Sequence, residues 1–305
     1  MDFELSSDQR ALLEPLERIV AEHSVGAAGK TTAYVVNEGL ARALKANGYL
    51  DQDLVRDLDP LTTLLAVEKA AEAPVTLELA NSLFIAPRVS AAPLAGPIAV
   101  GDVGGKGVIR HLPGAKTLLA EIDGSVRAVD LTVCEIQPID NKIAYPLGRI
   151  VKGELAAAPV LEVSPGRFAH LRRLAVAAEI VGLMQGALDL TVEYVKVRKQ
   201  FKRAIGSFQA VRHRLVECEV AVAGSRHLMH HAAWSDAVVD AELALSHAQE
   251  SAARLVYETQ QFHGAIGQTL EYPLHLWTFR IRALQGEFAG PSINAALAAT
   301  RIWGE

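Results

Sequence analysis

Cysteine is almost missing from this chain, with only Cys134 and Cys218 in 305 residues. Two are too few for a disulfide scaffold, and they lie too far apart in sequence to form a local metal knuckle. An excess of one charge is missing too. The 30 basic and 35 acidic residues leave a formal charge of −5, which gives no general field for nucleic acid or an anionic membrane surface. Neither partner is therefore expected, and any anion site must be local. The opening Met1-Asp2-Phe3-Glu4-Leu5 lacks an apolar signal core, and no run approaches the ~18 apolar residues of a membrane span. These absences predict a soluble protein of a reducing cytoplasm. No G-x-S-x-G elbow is present, so nucleophilic acyl transfer has no support. Proline is scarce in the last part, where Pro273 alone interrupts the stretch from Arg167 to Pro291.

Half of the residues are apolar, enough for a substantial core, and their spacing divides the chain into three zones. From Ser7 to about Arg88 the apolar residues fall at helical spacing, as in Leu12, Leu13, Leu16, Ile19 and Val20. From about Val89 to Glu162, six prolines and many glycines punctuate short β-type runs at Val108–Arg110, Lys116–Glu121, Val126–Val129 and Thr132–Ile136. From Arg167 onward the segments 167–197, 208–235, 240–262 and 274–300 are helical, rich in Ala and Leu, and joined by short connections. Four such helices read as an antiparallel bundle. The predicted fold is thus mainly α with a small β-domain: an amino-terminal helical domain over 1–88, a reduced middle β-domain over 89–164 and a carboxyl-terminal four-helix bundle domain over 165–305. No internal repeat or low-complexity tail is visible.

Several local patterns have plain structural explanations. Ser24-Val25-Gly26-Ala27-Ala28-Gly29-Lys30-Thr31 is one glycine short of a phosphate-binding loop and follows a helix face where a strand is needed, so a helix-ending loop is expected. The glycine-rich run from Gly101 to Gly107 reads as a hairpin turn. His227 and His231 have the i, i+4 spacing of two metal ligands, but no third ligand is identifiable nearby, and a structural or surface cluster is expected. No metal site is predicted.

The chemistry-bearing segment is Arg198-Lys199-Gln200-Phe201-Lys202-Arg203-Ala204-Ile205-Gly206-Ser207-Phe208-Gln209, where four cations and two aromatics meet between two helical segments. Cations meet a pyrophosphate through charge-assisted hydrogen bonds, and planar rings cover an adenine. A second loop, Gln260 to Pro273, carries Gly264 and Gly267 after a long helix, where the backbone can approach a ligand closely.

Together these segments resemble the acyl-CoA dehydrogenase family. The likeness is carried by Gly182–Tyr194, by R-x-Q-F at Arg198–Phe201, by F-Q-A-V at Phe208–Val211 and by Q-x-x-H-G-x-x-G-x-T-x-E-Y-P at Gln260–Pro273. Ser6–Arg10, Gly48-Tyr49 and Glu68 also look like that family's amino-terminal helices. The resemblance implies FAD, with the adenosine half gripped by the bundle of a neighbouring subunit. The matching positions are Arg198 at the pyrophosphate, Gln200 and Phe201 beside it, and Ile205, Phe208 and Val211 around the adenine, completed by Gln260, Gln261 and Gly264.

The resemblance also exposes departures. The family keeps a catalytic glutamate at one of two places, and here those places hold Ala289 and about Arg172, neither of which can abstract an α-proton. The threonine or serine and tryptophan segments that face the flavin ring are not found in the short middle zone. Lys202 replaces the usual glycine. No catalytic residue is therefore assigned to this chain. The implied role is the non-catalytic subunit of a heterotetrameric acyl-CoA dehydrogenase similar to those that oxidise steroid side-chain thioesters. Its partners would be a catalytic subunit, an acyl-CoA substrate and an electron-transfer acceptor. Two other readings stand beside it: a homomeric dehydrogenase using Glu179 or Glu287 as base, and a flavin-free structural paralogue.

Overall fold

The computed structural model describes residues 4–24, 37–104 and 107–304. Its first helix, α1 (Ser7–Ser24), begins at a reciprocal cap: the Gln9 amide donates to Ser6 Oγ at 3.1 Å and the Ser6 amide to Gln9 Oε1 at 3.0 Å. Helix α2 (Glu38–Ala46) is capped by Asn37, α3 (Gln52–Val55) by Asp51, and α4 (Pro60–Ala71) by Asp59 with proline at its first turn. A π-helical turn at Ala80–Ile85 runs into the short α5 (Ala86–Val89). Val25–Thr31 of the phosphate-loop-like run lie outside the described residues, while Ser24 closes α1.

Six strands follow: β1 (Ile98–Val100), β2 (Ile109–Arg110), β3 (Thr117–Ile122), β4 (Ser125–Asp130), β5 (Glu135–Ile139) and β6 (Leu147–Lys152). They form two three-stranded sheets, β1-β3-β4 and β2-β6-β5. The β3–β4 hairpin turns through Asp123 and Gly124, both at positive φ. Small apolar residues such as Ala99, Ile109, Leu118, Ala120 and Val129 fill a core of their own. The Gly101–Gly107 run is not the expected hairpin turn. Its flanking strands pair elsewhere, β1 with β3 and β2 with β6, so it crosses between sheets; Gly105 and Lys106 lie outside the described residues. Thr132 and Val133, expected in a strand, form a 3₁₀ turn because the Asp130 carboxylate accepts from the Thr132 amide at 2.9 Å.

The bundle is built on α6 (Pro165–Val197), whose middle is largely apolar and buried against α7 (Gln209–Ser235), α8 (Val238–His263) and α4. By length and composition α6 could cross a membrane, which the sequence reading did not foresee. Here 72% of its most apolar 18-residue window is buried inside the protein. Two of its glycines decide how near the amino-terminal helices come. A Cβ on Gly182 would lie 2.0 Å from the Glu68 carbonyl oxygen, and one on Gly186 would lie 2.2 Å from the Trp277 indole nitrogen. Through that gap Trp277 donates to the Glu72 carbonyl at 2.8 Å. Arg280 adds a second tie, donating to the Val75 and Ala73 carbonyls at 2.5 and 2.9 Å.

The helix expected over 274–300 is two helices. A two-stranded hairpin, β7 (Lys199–Gln200) and β8 (Arg203–Ala204), links α6 to α7, and after α8 come α9 (His275–Gln285) and α10 (Pro291–Trp303). Phe288, Ala289 and Gly290 between the last two all have positive φ, which breaks the helical hydrogen bonding before Pro291 starts α10.

Candidate functional site

Where the middle strands meet α6 and the α9–α10 break, one guanidinium holds two carboxylates. Arg110 of β2 reaches Glu179 of α6 at 3.2 Å and Glu287 at 3.1 Å, with all three side chains at most a quarter exposed. Tyr145 donates its hydroxyl to the other oxygen of Glu179 at 2.5 Å, and its ring lies 4.8 Å beneath Arg110. Burial opposes the Arg110 charge, but the Glu179 and Glu287 carboxylates outweigh it and hold the guanidinium firmly protonated. Burial, with Glu179, pushes the Tyr145 phenol far up, so it remains a donor.

Beside this trio Arg172 forms a bidentate pair with Asp102, at 2.7 and 3.2 Å. The Arg172 hydrogen bond holds the Asp102 carboxyl below its usual range. Arg172 also stacks over Phe288 at 5.0 Å, next to Ala289. The structure thus brings together the two positions, 172 and 289, at which a base was sought. The cavity among Asn81, Val100, Arg110, Arg172, Glu179 and Glu287 has a volume of about 20 Å³, room for about one water.

The other predicted residues gather at one end of the bundle. Helices α7 and α8 run antiparallel, which sets the start of α7 beside the end of α8, and Arg214 bridges them through Glu258 and the Phe262 ring. Tyr194 near the end of α6 stacks on His263 at 4.3 Å. The 198–208 connection and the Gln260–Gly264 helix end therefore share one surface. Arg198, Gln200, Phe201, Gln261 and Gly264 are exposed on it; Ile205, Phe208, Val211 and Gln260 are half-buried. Among the described residues Arg198, Lys199 and Lys202 have no carboxylate partner.

Phe201 is 87% exposed at the tip of the hairpin, edge-on to Phe208 at 6.2 Å. One face of Phe208 is covered by the chain's own Arg203, 3.9 Å from the ring centroid, so Phe201 offers the freer aromatic surface. Gly264 has a φ of +63°, and a Cβ there would meet nothing within 4 Å. Unpaired cations, an uncovered ring and an open backbone turn fit the adenosine diphosphate half of FAD. The surface is open to solvent.

The histidines of α7 diverge. His230 bonds Glu68 at 3.0 Å and His231 faces Asp240 at 3.5 Å. Glu68 also pairs with Arg226 at 2.5 Å, so this cluster ties α4 to α7. Sequence reasoning missed Arg110, Tyr145 and Asp102. They stand 69, 34 and 70 residues from their partners, and no spacing rule reaches that far.

Residues 164–292 match the model of the acyl-CoA dehydrogenase C-terminal domain. Over that stretch, which takes in most of the bundle, the chain is similar to the carboxyl-terminal domain of acyl-CoA dehydrogenases. Among curated relatives it is 34% identical over 196 residues to acyl-CoA dehydrogenase FadE34 of Mycobacterium tuberculosis, covering 60% of this chain and 27% of the relative. It is 38% identical over 118 residues to acyl-CoA dehydrogenase IpdE2 of Mycolicibacterium smegmatis, covering 39% of this chain and 38% of that protein. The matches thus span well under half the length of these two relatives. The fold is that of acyl-CoA dehydrogenases along the whole chain. The ChsE4–ChsE5 complex from Mycobacterium tuberculosis superposes with a TM-score of 0.79 at 19% identity, covering 99% of each chain. A Tcur3481–Tcur3483 steroid acyl-CoA dehydrogenase variant does so at 0.78 and 22%, covering 97% of each.

Proposed function

We propose that this chain is the non-catalytic subunit of a heteromeric, FAD-dependent acyl-CoA dehydrogenase of the cytoplasm. The observation that carries this reading is the closed junction. Arg110 occupies both carboxylates, Glu179 and Glu287, that the junction offers as bases, and the space left is about 20 Å³. A general base must reach the substrate α-carbon in hydrogen-bonding geometry. Neither carboxylate is free to do so, and Ala289 and Arg172 offer no substitute.

The reaction of the assembled enzyme would be α,β-dehydrogenation of an acyl-CoA thioester, with a carboxylate of the partner subunit taking the α-proton. FAD supplies the two-electron acceptor, later reoxidised by an electron-transfer protein. This chain's part would be binding: Arg198 against the pyrophosphate, Gln200 and Phe201 beside it, Ile205, Phe208 and Val211 around the adenine, and Gln260, Gln261 and Gly264 closing the surface. Similarity to a steroid acyl-CoA dehydrogenase favours a bulky steroid side chain as the acyl group, and a lobe whose own carboxylate junction is closed suits such a substrate.

The test is expression of the chain alone and with a catalytic acyl-CoA dehydrogenase subunit. The isolated chain is expected to be flavin-free, and the co-purified complex to be yellow. Stoichiometric FAD in a homo-oligomer of this chain would overturn the assignment.

A further inference from the structure

A second, larger cavity of about 520 Å³ lies where the start of α2 and the stretch before the π-helical turn meet the β2-β6-β5 sheet. Its walls are chiefly apolar: Pro97, Pro113, Pro138, Ile139, Pro146 and Leu147 line it, and the four prolines bring no amide donor. Set into those walls are two buried polar side chains, Glu78 and His111, 5% and 4% exposed. The Ser82 hydroxyl donates to Glu78 at 2.7 Å. His111, held at a φ of +62°, donates its backbone amide to the Pro146 carbonyl at 2.7 Å, but its Nδ1 has no hydrogen-bond partner. An unpartnered buried polar atom costs about 1–3 kcal/mol, which a native fold rarely bears without use. Nothing in the flavin-binding role draws on these residues.

We infer that this cavity is a binding site for a neutral, mainly apolar small molecule bearing one hydrogen-bonding oxygen. Three observations set the class. Among the described residues lining it there is no cation to receive an anionic head group, whereas Glu38 and Asp140 stand exposed at its edge and repel one. Burial holds His111 neutral and keeps the Glu78 carboxyl protonated up to about pH 8, so the interior offers uncharged donors and an acceptor. Apolar walls with a few convergent polar groups are the usual make-up of a small-molecule pocket. Tyr145 also lines this cavity while its hydroxyl bonds Glu179, so an occupant would touch the wall of the closed junction.

The site needs neither flavin nor a partner, so it can be tested on the full chain alone, separately from the subunit assignment. Nile red serves as a neutral, flat, apolar probe with a carbonyl oxygen, and anilinonaphthalene sulfonate as its anionic counterpart. Fluorescence titration should give saturable binding of Nile red at one site per chain, at least tenfold tighter than the sulfonate. Pro138→Trp, which places an indole in the mouth from an exposed position, should weaken Nile red binding at least tenfold with the circular dichroism unchanged. His111→Phe should do the same by removing the imidazole while keeping its bulk; if that variant does not fold, Pro138→Trp decides alone. Absence of saturable binding, equal affinity for the sulfonate, or unaltered binding in Pro138→Trp would each overturn the proposal.

Discussion

At the scale of single residues, the departures from the family pattern acquire physical meaning. Glu179 and Glu287 look in sequence like spare carboxylates, but a single arginine from a strand far away in the chain engages both. Arg198 is the opposite case, a cation without a carboxylate partner among the described residues. In the assembled complex, Arg198→Ala should remove a charge-assisted contact worth roughly 1.5–3 kcal/mol and lower FAD affinity about ten- to a hundredfold. Flavin retention at limiting FAD measures this, and equal retention by the variant would take Arg198 out of the site. Glu78 gives a pH signature. Burial pushes its carboxyl from 4.5 up to about 8, the Ser82 hydroxyl opposing only in part. Between those values the folded state holds a proton that the unfolded chain has lost, so this group's contribution to stability falls as pH rises across that window. Glu78→Gln should therefore gain stability relative to the parent as pH rises from 5 to 8.5, by up to several kcal/mol. Denaturant titrations at both pH values giving the same difference would contradict it.

At the scale of elements, the β7–β8 hairpin stores strain in full view. Phe201 and Lys202 occupy its two turn positions with φ of +51° and +64°, the region where a non-glycine side chain costs about 1 kcal/mol or more. Lys202→Gly should raise stability by about 0.5–1 kcal/mol and the melting temperature by about 1–3 °C, read by calorimetry of the full chain. A lower melting temperature would show that the lysine stem packs usefully. The same positive-φ chemistry splits the last predicted helix. Residues 274–300 keep a helical apolar pattern throughout, yet three successive left-handed residues at Phe288–Gly290 turn the chain so that Glu287 faces Arg110. Periodicity registers which face is apolar and is blind to such a break when its residues are Phe and Ala.

For the whole molecule, the proposed function is a division of labour between chains. If the base belongs to the partner, Glu179→Gln and Glu287→Gln, made separately in the assembled complex, should leave turnover within a few-fold of the parent. Loss of general-base catalysis lowers kcat by about 10² or more, so a drop of that size with flavin content and folding intact would make this the catalytic chain. Each substitution also removes one of the two anions around Arg110, so thermal stability must be read alongside turnover to separate a folding effect from a chemical one.

The sequence by itself determined the order of helices, strands and bundle, because apolar periodicity and proline–glycine punctuation are local properties read within a dozen residues. It also singled out the two runs that meet at the bundle end, since Arg198–Val211 and Gln260–Gly264 are each short and contiguous. Only the tertiary structure decided that Gly182 and Gly186 set the contact between α6 and the amino-terminal helices, that β1 and β2 part into different sheets, and that Arg110, Tyr145, Glu179 and Glu287 close one junction. Those outcomes depend on groups separated by tens to more than a hundred residues, and their pairing energy exists only once the fold has brought them out of water and within about 3 Å of one another.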